Sequence, residues 1–191
     1  KDKGKEVIFD AEHFFDGYKD SPEYAVEVLK AAESGGADVL VLCDTNGGVL
    51  PTQVYGAVKS VCEHFPDMRI GIHCHNDTGC AVANSIIAVE AGACHVQGTF
   101  AGIGERCGNA DLSVIIPNLQ IKDGYLCIEN GLEKLSETVI RISEISNLSV
   151  PSNKPYVGES AFAHKGGMHI DGVDKLSRSF EHIDPSLVGN S

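Results

Sequence analysis

Four short apolar runs punctuate the first half of the chain, and each ends in polar or charged positions. Residues 7–9 lead into Asp10 and Glu12, residues 39–42 into Asp44 and Thr45, residues 70–72 into the string HCHND, and His95–Gln97 into GTFAGIGERCGN. Between the runs, hydrophobic positions recur at helical spacing. In SPEYAVEVLKAAESGG the apolar set is Tyr24, Val28 and Ala32, behind a Ser21 cap and Pro22 in the first turn, with Gly35 as the stop. From Pro51 a second helix presents Val54, Val58, Val61 and Phe65. Short strands with little alternation are buried on both faces, as in the parallel βα units of a barrel or a doubly wound sheet. Either architecture gathers its chemistry at the C-terminal strand ends, where the polar clusters fall. No GxGxxG opens a helix, which weighs against a nucleotide-binding open sheet.

After Asn109 the pattern changes. Residues 112–119 continue helically with Pro117 as a kink, and Leu132, Leu135, Val139, Ile142 and Ile145 mark a longer amphipathic helix. The stretch PSNKPYVGESAFAHKGGMHIDG, with two Pro and several Gly, reads as linker and functional loop. The expected fold is therefore α/β: the second half of a (β/α)8 TIM barrel, about four βα units within residues 1–120, followed by a helical linker subdomain in residues 121–191. Half a barrel leaves two open strand edges, so the chain is either a piece of a longer one, the favoured reading, or pairs with a second half.

Composition narrows the class. With 42% hydrophobic and 22% charged residues and no long uncharged apolar run, the chain reads as globular rather than disordered or membrane-spanning. Fifteen Lys and Arg against 27 Asp and Glu give a net charge of -12, which repels a phosphate backbone and argues against nucleic acid as a partner. The start KDKGKEVIFD lacks the apolar core of a signal peptide, and seven scattered Cys have no CxxC spacing, so a reduced cytoplasmic protein is expected.

The sharpest chemical feature is His73-Cys74-His75 at a strand end, where a period of two puts both imidazoles on one face, within reach of one metal ion. The same pattern serves two histidines satisfied by hydrogen bonds. In GIGERCGN, residues 102–109, Asn109 offers a carbonyl oxygen suited to a hard divalent ion, or a cap for the following helix. Glu105 is an active-site acid or the loop partner of Arg106, and Asp77 is placed to cap a helix. His95 reads as a satisfied core residue; Lys165, beside two Gly, is a phosphate contact or a solvated charge.

In this order across nearly the whole chain, the strings FDAEHFFDGY, CDTNGGVLP, HCHNDTGCAVANS, GIGERCGNADL, IPNLQ, AHKGGMHIDGV and EHIDPSLVGN resemble the acyl-CoA-condensing synthase family that includes 2-isopropylmalate, homocitrate and citramalate synthases. DAEHFFDGYK, SVIIPNLQ and FEHIDPSLVGN lean toward the citramalate branch. The resemblance implies a Claisen condensation of acetyl-CoA with a 2-oxo acid, pyruvate in that branch, dependent on a divalent ion such as Mn²⁺, Mg²⁺ or Zn²⁺, in a homodimer of the full-length protein. It implies His73, His75 and Asn109 as metal ligands, Thr45 as the residue that binds the 2-oxo acid carboxylate, and Glu12 and Glu105 as active-site acids. It implies that His169 acts near the reacting groups, from a partner subunit's linker region. Two departures stand out: the family's Arg-Asp-Gly motif, source of a further metal ligand, is absent, and Phe180 stands where relatives usually have Tyr. The rivals are an isopropylmalate or homocitrate synthase, an acyl-CoA lyase, a biotin-dependent carboxyltransferase barrel and a non-catalytic half barrel; the HKGGMHIDG loop favours the synthases over the lyase and the carboxyltransferase. Little or no turnover is expected from these 191 residues alone.

Overall fold

The computed structural model describes residues 3–176 and 179–191. They form two compact units, 1–111 and 112–191. The first alternates strand and helix: β1 Ile8–Ala11, α1 Phe14–Asp20, α2 Pro22–Ser34, β2 Val39–Asp44, α3 Pro51–His64, β3 Arg69–Cys74, α4 Ala81–Glu90 and β4 His95–Gln97. The strands pair in parallel in the order β1-β2-β3-β4. Every strand thus neighbours its predecessor in sequence, with no point where the order reverses. That is the progression of a barrel wall, not of a doubly wound sheet.

Leu40, Leu42, Ile70 and Ile72 are buried on one face of the sheet. On the other, the register aligns Asp10, Val41, Gly71 and His95 in one row, and Cys43, His73 and Gln97 in the next. This second face is concave. In a flat sheet β1 and β4 would stand three strand spacings apart, about 14 Å, yet Gln97 Nε2 on β4 donates to Asp10 Oδ1 on β1 at 2.9 Å. Gly71 permits the closure, because a Cβ there would press on Val41 Cγ2 at 2.9 Å and His95 Cδ2 at 3.0 Å.

One local expectation is corrected. Ser21 does cap α2, its Oγ accepting from Tyr24 N at 3.4 Å, but the buried face is Ala25, Val26 and Leu29, and Tyr24 is 72% exposed. α3 matches its expected face, with Val54, Val58, Val61 and Phe65 all buried.

In the second unit α5 spans Leu112–Pro117 and passes into a π turn at Asn118–Lys122, and α6 spans Leu135–Ile145 with Leu135 and Val139 buried. The expected face of α6 extended to Ile145, which is 74% exposed. Ser136 Oγ donates to Val188 O at 2.8 Å, and Asn190 Nδ2 donates to Tyr156 O at 2.9 Å, tying the last residues to this unit. The end of the stretch read from sequence as loop, residues 167–172, instead begins α7, Gly167–Lys175. No helix among the described residues is long and apolar enough to cross a membrane.

Candidate functional site

All polar strand ends of the first unit open at one end of the sheet, because parallel strands share their direction. Glu12 follows β1, Thr45 follows β2, His73 lies near the end of β3 with His75 just past it, and the loop after β4 carries Glu105 and Asn109. That loop folds back onto β3. Ala110 N donates to Cys74 O at 2.9 Å and Asn76 N to Gly108 O at 2.9 Å, and His75 and Asn109 form an antiparallel bridge. Distant stretches of sequence thereby bring His75 beside Asn109.

The two imidazoles face each other, His73 Nε2 lying 3.3 Å from His75 Nε2. Two nitrogens holding one ion at about 2.1 Å adopt this kind of spacing. Burial, reinforced by His73 and Arg106, lowers the His75 pKa, which favours the neutral ring that carries a lone pair. Asn109 donates its Nδ2 to Ile103 O at 3.1 Å, while its buried Oδ1 has no hydrogen-bond partner. An orphaned buried oxygen costs desolvation unless something polar meets it. Gly104 is part of this cradle: a Cβ there would overlap the Asn109 amide. Two imidazoles and a free amide oxygen suit a divalent ion. No group of three His, Cys, Asp or Glu side chains is arranged for a metal among the described residues.

Around this centre runs a second network. Thr45 Oγ1 accepts from His13 N at 2.7 Å and donates to Glu12 Oε2 at 2.8 Å. Arg106 donates to the Thr45 carbonyl at 2.8 Å and forks onto both Asp77 oxygens at 2.8 and 2.9 Å. That guanidinium holds the Asp77 carboxyl below its usual range. The partner of Arg106 is thus Asp77 and not Glu105, which lies exposed on the loop. Asp77 does not cap α4; Asn76 Oδ1 accepts from Ala81 N at 3.2 Å instead. Nor does Asn109 cap a helix. His95, expected to be satisfied, has a buried Nε2 without a hydrogen-bond partner.

His169 lies in the second unit, on α7, with its ring stacked on Phe180 at 4.2 Å between centroids. Phe180 therefore supplies ring packing at the position where a hydroxyl was expected. His164 Nε2 lies 3.7 Å from Glu181 Oε1 in the same unit.

Sequence reasoning singled out neither Gln97 nor Asp10 as a candidate site residue. Gln97 Oε1 lies 2.8 Å from His73 Nδ1, and its Nε2 reaches Asp10. The only signal in the sequence was their place at the polar ends of apolar runs, a place many residues share.

Comparison with known proteins bears on the family and the fold. The HMGL-like family model matches residues 1–147, and the homocitrate synthase post-HMGL domain-like model matches residues 156–191. The chain is 60% identical to the (R)-citramalate synthase of Aquifex aeolicus, over 97% of its own length and 35% of that protein. It is 40% identical to a probable 2-isopropylmalate synthase of Methanosarcina mazei, over 100% of its own length and 36% of that protein. It thus spans about a third of the length of these curated relatives. Among solved structures, the HMG-CoA lyase of Bacillus subtilis superposes with a TM-score of 0.60 at 28% identity, covering 68% of this chain and 45% of the lyase. The carboxyl transferase domain of Rhizobium etli pyruvate carboxylase with oxalate shares the fold, at a TM-score of 0.61 and 17% identity, over 91% of this chain and 30% of that one. With the family model covering most of the sequence and the βα units in barrel order, the chain belongs to the HMGL-like family.

Proposed function

We propose that the full-length protein condenses acetyl-CoA with a 2-oxo acid, pyruvate giving citramalate, in a divalent-metal-dependent reaction of branched-chain amino-acid biosynthesis. The observation that carries this reading is the convergence of the His73 and His75 Nε2 atoms beside a bridged, unsatisfied Asn109 oxygen, in a chain 60% identical to an (R)-citramalate synthase.

His73, His75 and Asn109 would hold the ion, which when bound would supply Lewis-acid polarisation of the substrate ketone. Thr45 fixes which face of the ketone meets the nucleophile by donating its hydroxyl hydrogen to the substrate carboxylate. In this structure that hydrogen goes to Glu12, so substrate binding exchanges one carboxylate for another on the same hydroxyl. Glu12, thus released, positions acetyl-CoA or a water molecule, and Glu105 on its exposed loop orients neighbouring groups. The acetyl methyl proton needs a positioned base, and His169 takes this general acid/base part. It comes from a partner subunit in a homodimer of the full-length protein. These 191 residues alone, about a third of the relatives' length, are expected not to turn over.

The test is CoA thiol release by the full-length protein with acetyl-CoA and, separately, pyruvate, 2-oxoisovalerate and 2-oxoglutarate, with Mn²⁺ and then with chelator. Release with pyruvate alone, abolished by chelator, is expected. Preference for a larger 2-oxo acid moves the protein to a sister branch; release with none of them overturns the condensation. A His169→Ala protein that keeps full turnover removes that residue from the chemistry.

A further inference from the structure

Across the concave face, one amide joins the strand that carries the first imidazole to the strand at the far side of the sheet. Gln97 Nε2 lies 2.9 Å from Asp10 Oδ1, and Gln97 Oε1 lies 2.8 Å from His73 Nδ1. The proton inventory leaves one arrangement. An ionised carboxylate only accepts, so the end of the amide facing Asp10 is the NH₂ group, and the oxygen faces His73. An amide oxygen only accepts, so His73 Nδ1 carries the hydrogen, and in a neutral ring Nε2 is then the bare nitrogen. That bare nitrogen is the one 3.3 Å from His75 Nε2.

We infer that Asp10 and Gln97 are positioning residues: the carboxylate orients the amide, and the amide fixes the tautomer and ring orientation of His73, so that its lone pair is presented at the site before any ligand arrives. The relay couples the curvature of the sheet to the chemistry of one imidazole, since Asp10 meets Gln97 only because β1 and β4 curl toward each other. Groups that hold the second nitrogen of a metal-bound imidazole change metal affinity by about 10- to 100-fold. The consequence for metal affinity rests on the function proposed above; the tautomer does not.

Two measurements on the full-length protein separate the two. In the metal-free protein carrying ring-¹⁵N histidine, with His73 assigned by the signals lost in His73→Gln, the spectrum should show a protonated Nδ1 and a bare Nε2, and Gln97→Met should lose that preference. Mn²⁺ affinity without substrate, read from the electron paramagnetic resonance of free ion, should weaken about 10- to 100-fold in Gln97→Met. Gln97→Glu keeps the acceptor for His73 but sets two carboxylates against each other. It should also bind weakly, and adding Asp10→Asn, which supplies a donor again, should restore binding. This double variant keeps the test decisive where Gln97→Met fails to fold. A His73 protonated on Nε2 in the parent protein, Mn²⁺ binding unaltered by Gln97→Met, or no rescue by Asp10→Asn overturns the relay. Failure of the parent protein to bind Mn²⁺ overturns the metal reading instead, and the tautomer then decides the relay alone.

Discussion

In the proposed function, the single hydroxyl of Thr45 serves two carboxylates in turn. It has a single hydrogen to donate, and that hydrogen now rests on Glu12 while the oxygen accepts from His13 N. A 2-oxo acid carboxylate bound here would have to displace Glu12 to receive it. Thr45→Val keeps the shape and removes the donor, and a hydrogen bond to a charged group contributes about 1.5–3 kcal/mol. The Michaelis constant for the 2-oxo acid should rise by about 10- to 100-fold, with that for acetyl-CoA little changed; equal effects on both substrates would sink the assignment. Gly47 is a second sensitive position. Its φ is +64°, and a Cβ there would overlap the Asp77 carboxylate and crowd Asp77 N at 2.7 Å. Gly47→Ala should cost about 1–2 kcal/mol for the left-handed backbone alone, more with the clash, and should loosen the Arg106 fork. Chemical denaturation and turnover together check it: a variant as stable and as active as the parent would show that Asp77 has room to move.

At the scale of elements, α2 offers a clean discrimination between what its spacing suggested and what it buries. Leu29 is fully buried whereas Tyr24 is 72% exposed. Leu29→Ala should cost about 2–5 kcal/mol through lost burial and a cavity, and Tyr24→Ala should stay within about 0.5 kcal/mol. Urea unfolding of the two variants reads this directly, and the reverse order would restore the face that the spacing suggested. Both faces of α2 carry apolar residues, so periodicity left the choice open, and contact with the sheet made it. The strands were legible because two-sided burial leaves unbroken apolar runs, and the ligand loop because GIGERCGN follows one of them. α7 was not legible: Gly167 and Gly172 lower helix propensity, and its apolar Met168 and Ile170 remain exposed, so no buried face marked it. Gln97 was invisible for another reason. Its meaning depends on Asp10, which lies 87 residues away in sequence and becomes a neighbour only when the sheet curls.

For the whole molecule, the balance of titrating groups sets how the fold responds to acid. Burial lowers the pKa of His75 in the first unit, and burial with the charge of Lys122 lowers that of His182 in the second. His182 packs between Phe162, stacked at 5.8 Å, and Tyr156, edge-on at 5.2 Å. A histidine whose folded pKa lies below its unfolded value of about 6.5 binds fewer protons folded than unfolded. Its stabilisation is complete above that value and is lost as pH falls from there through the folded pKa. Asp44 acts in the opposite sense, because burial raises its carboxyl above 3.8 and the folded state then holds a proton that the unfolded chain releases. Its contribution is present at low pH and fades as pH rises through its folded pKa. Below about pH 6.5 the histidines act on the side of unfolding, so the metal-free melting temperature should fall on acidification. Replacing His182 with Gln removes one of the two responsible protons, and the acid-side slope should flatten for the unfolding of the second unit, whatever the variant's stability at neutral pH. An undiminished slope in His182→Gln would assign the acid sensitivity to groups other than this stacked imidazole.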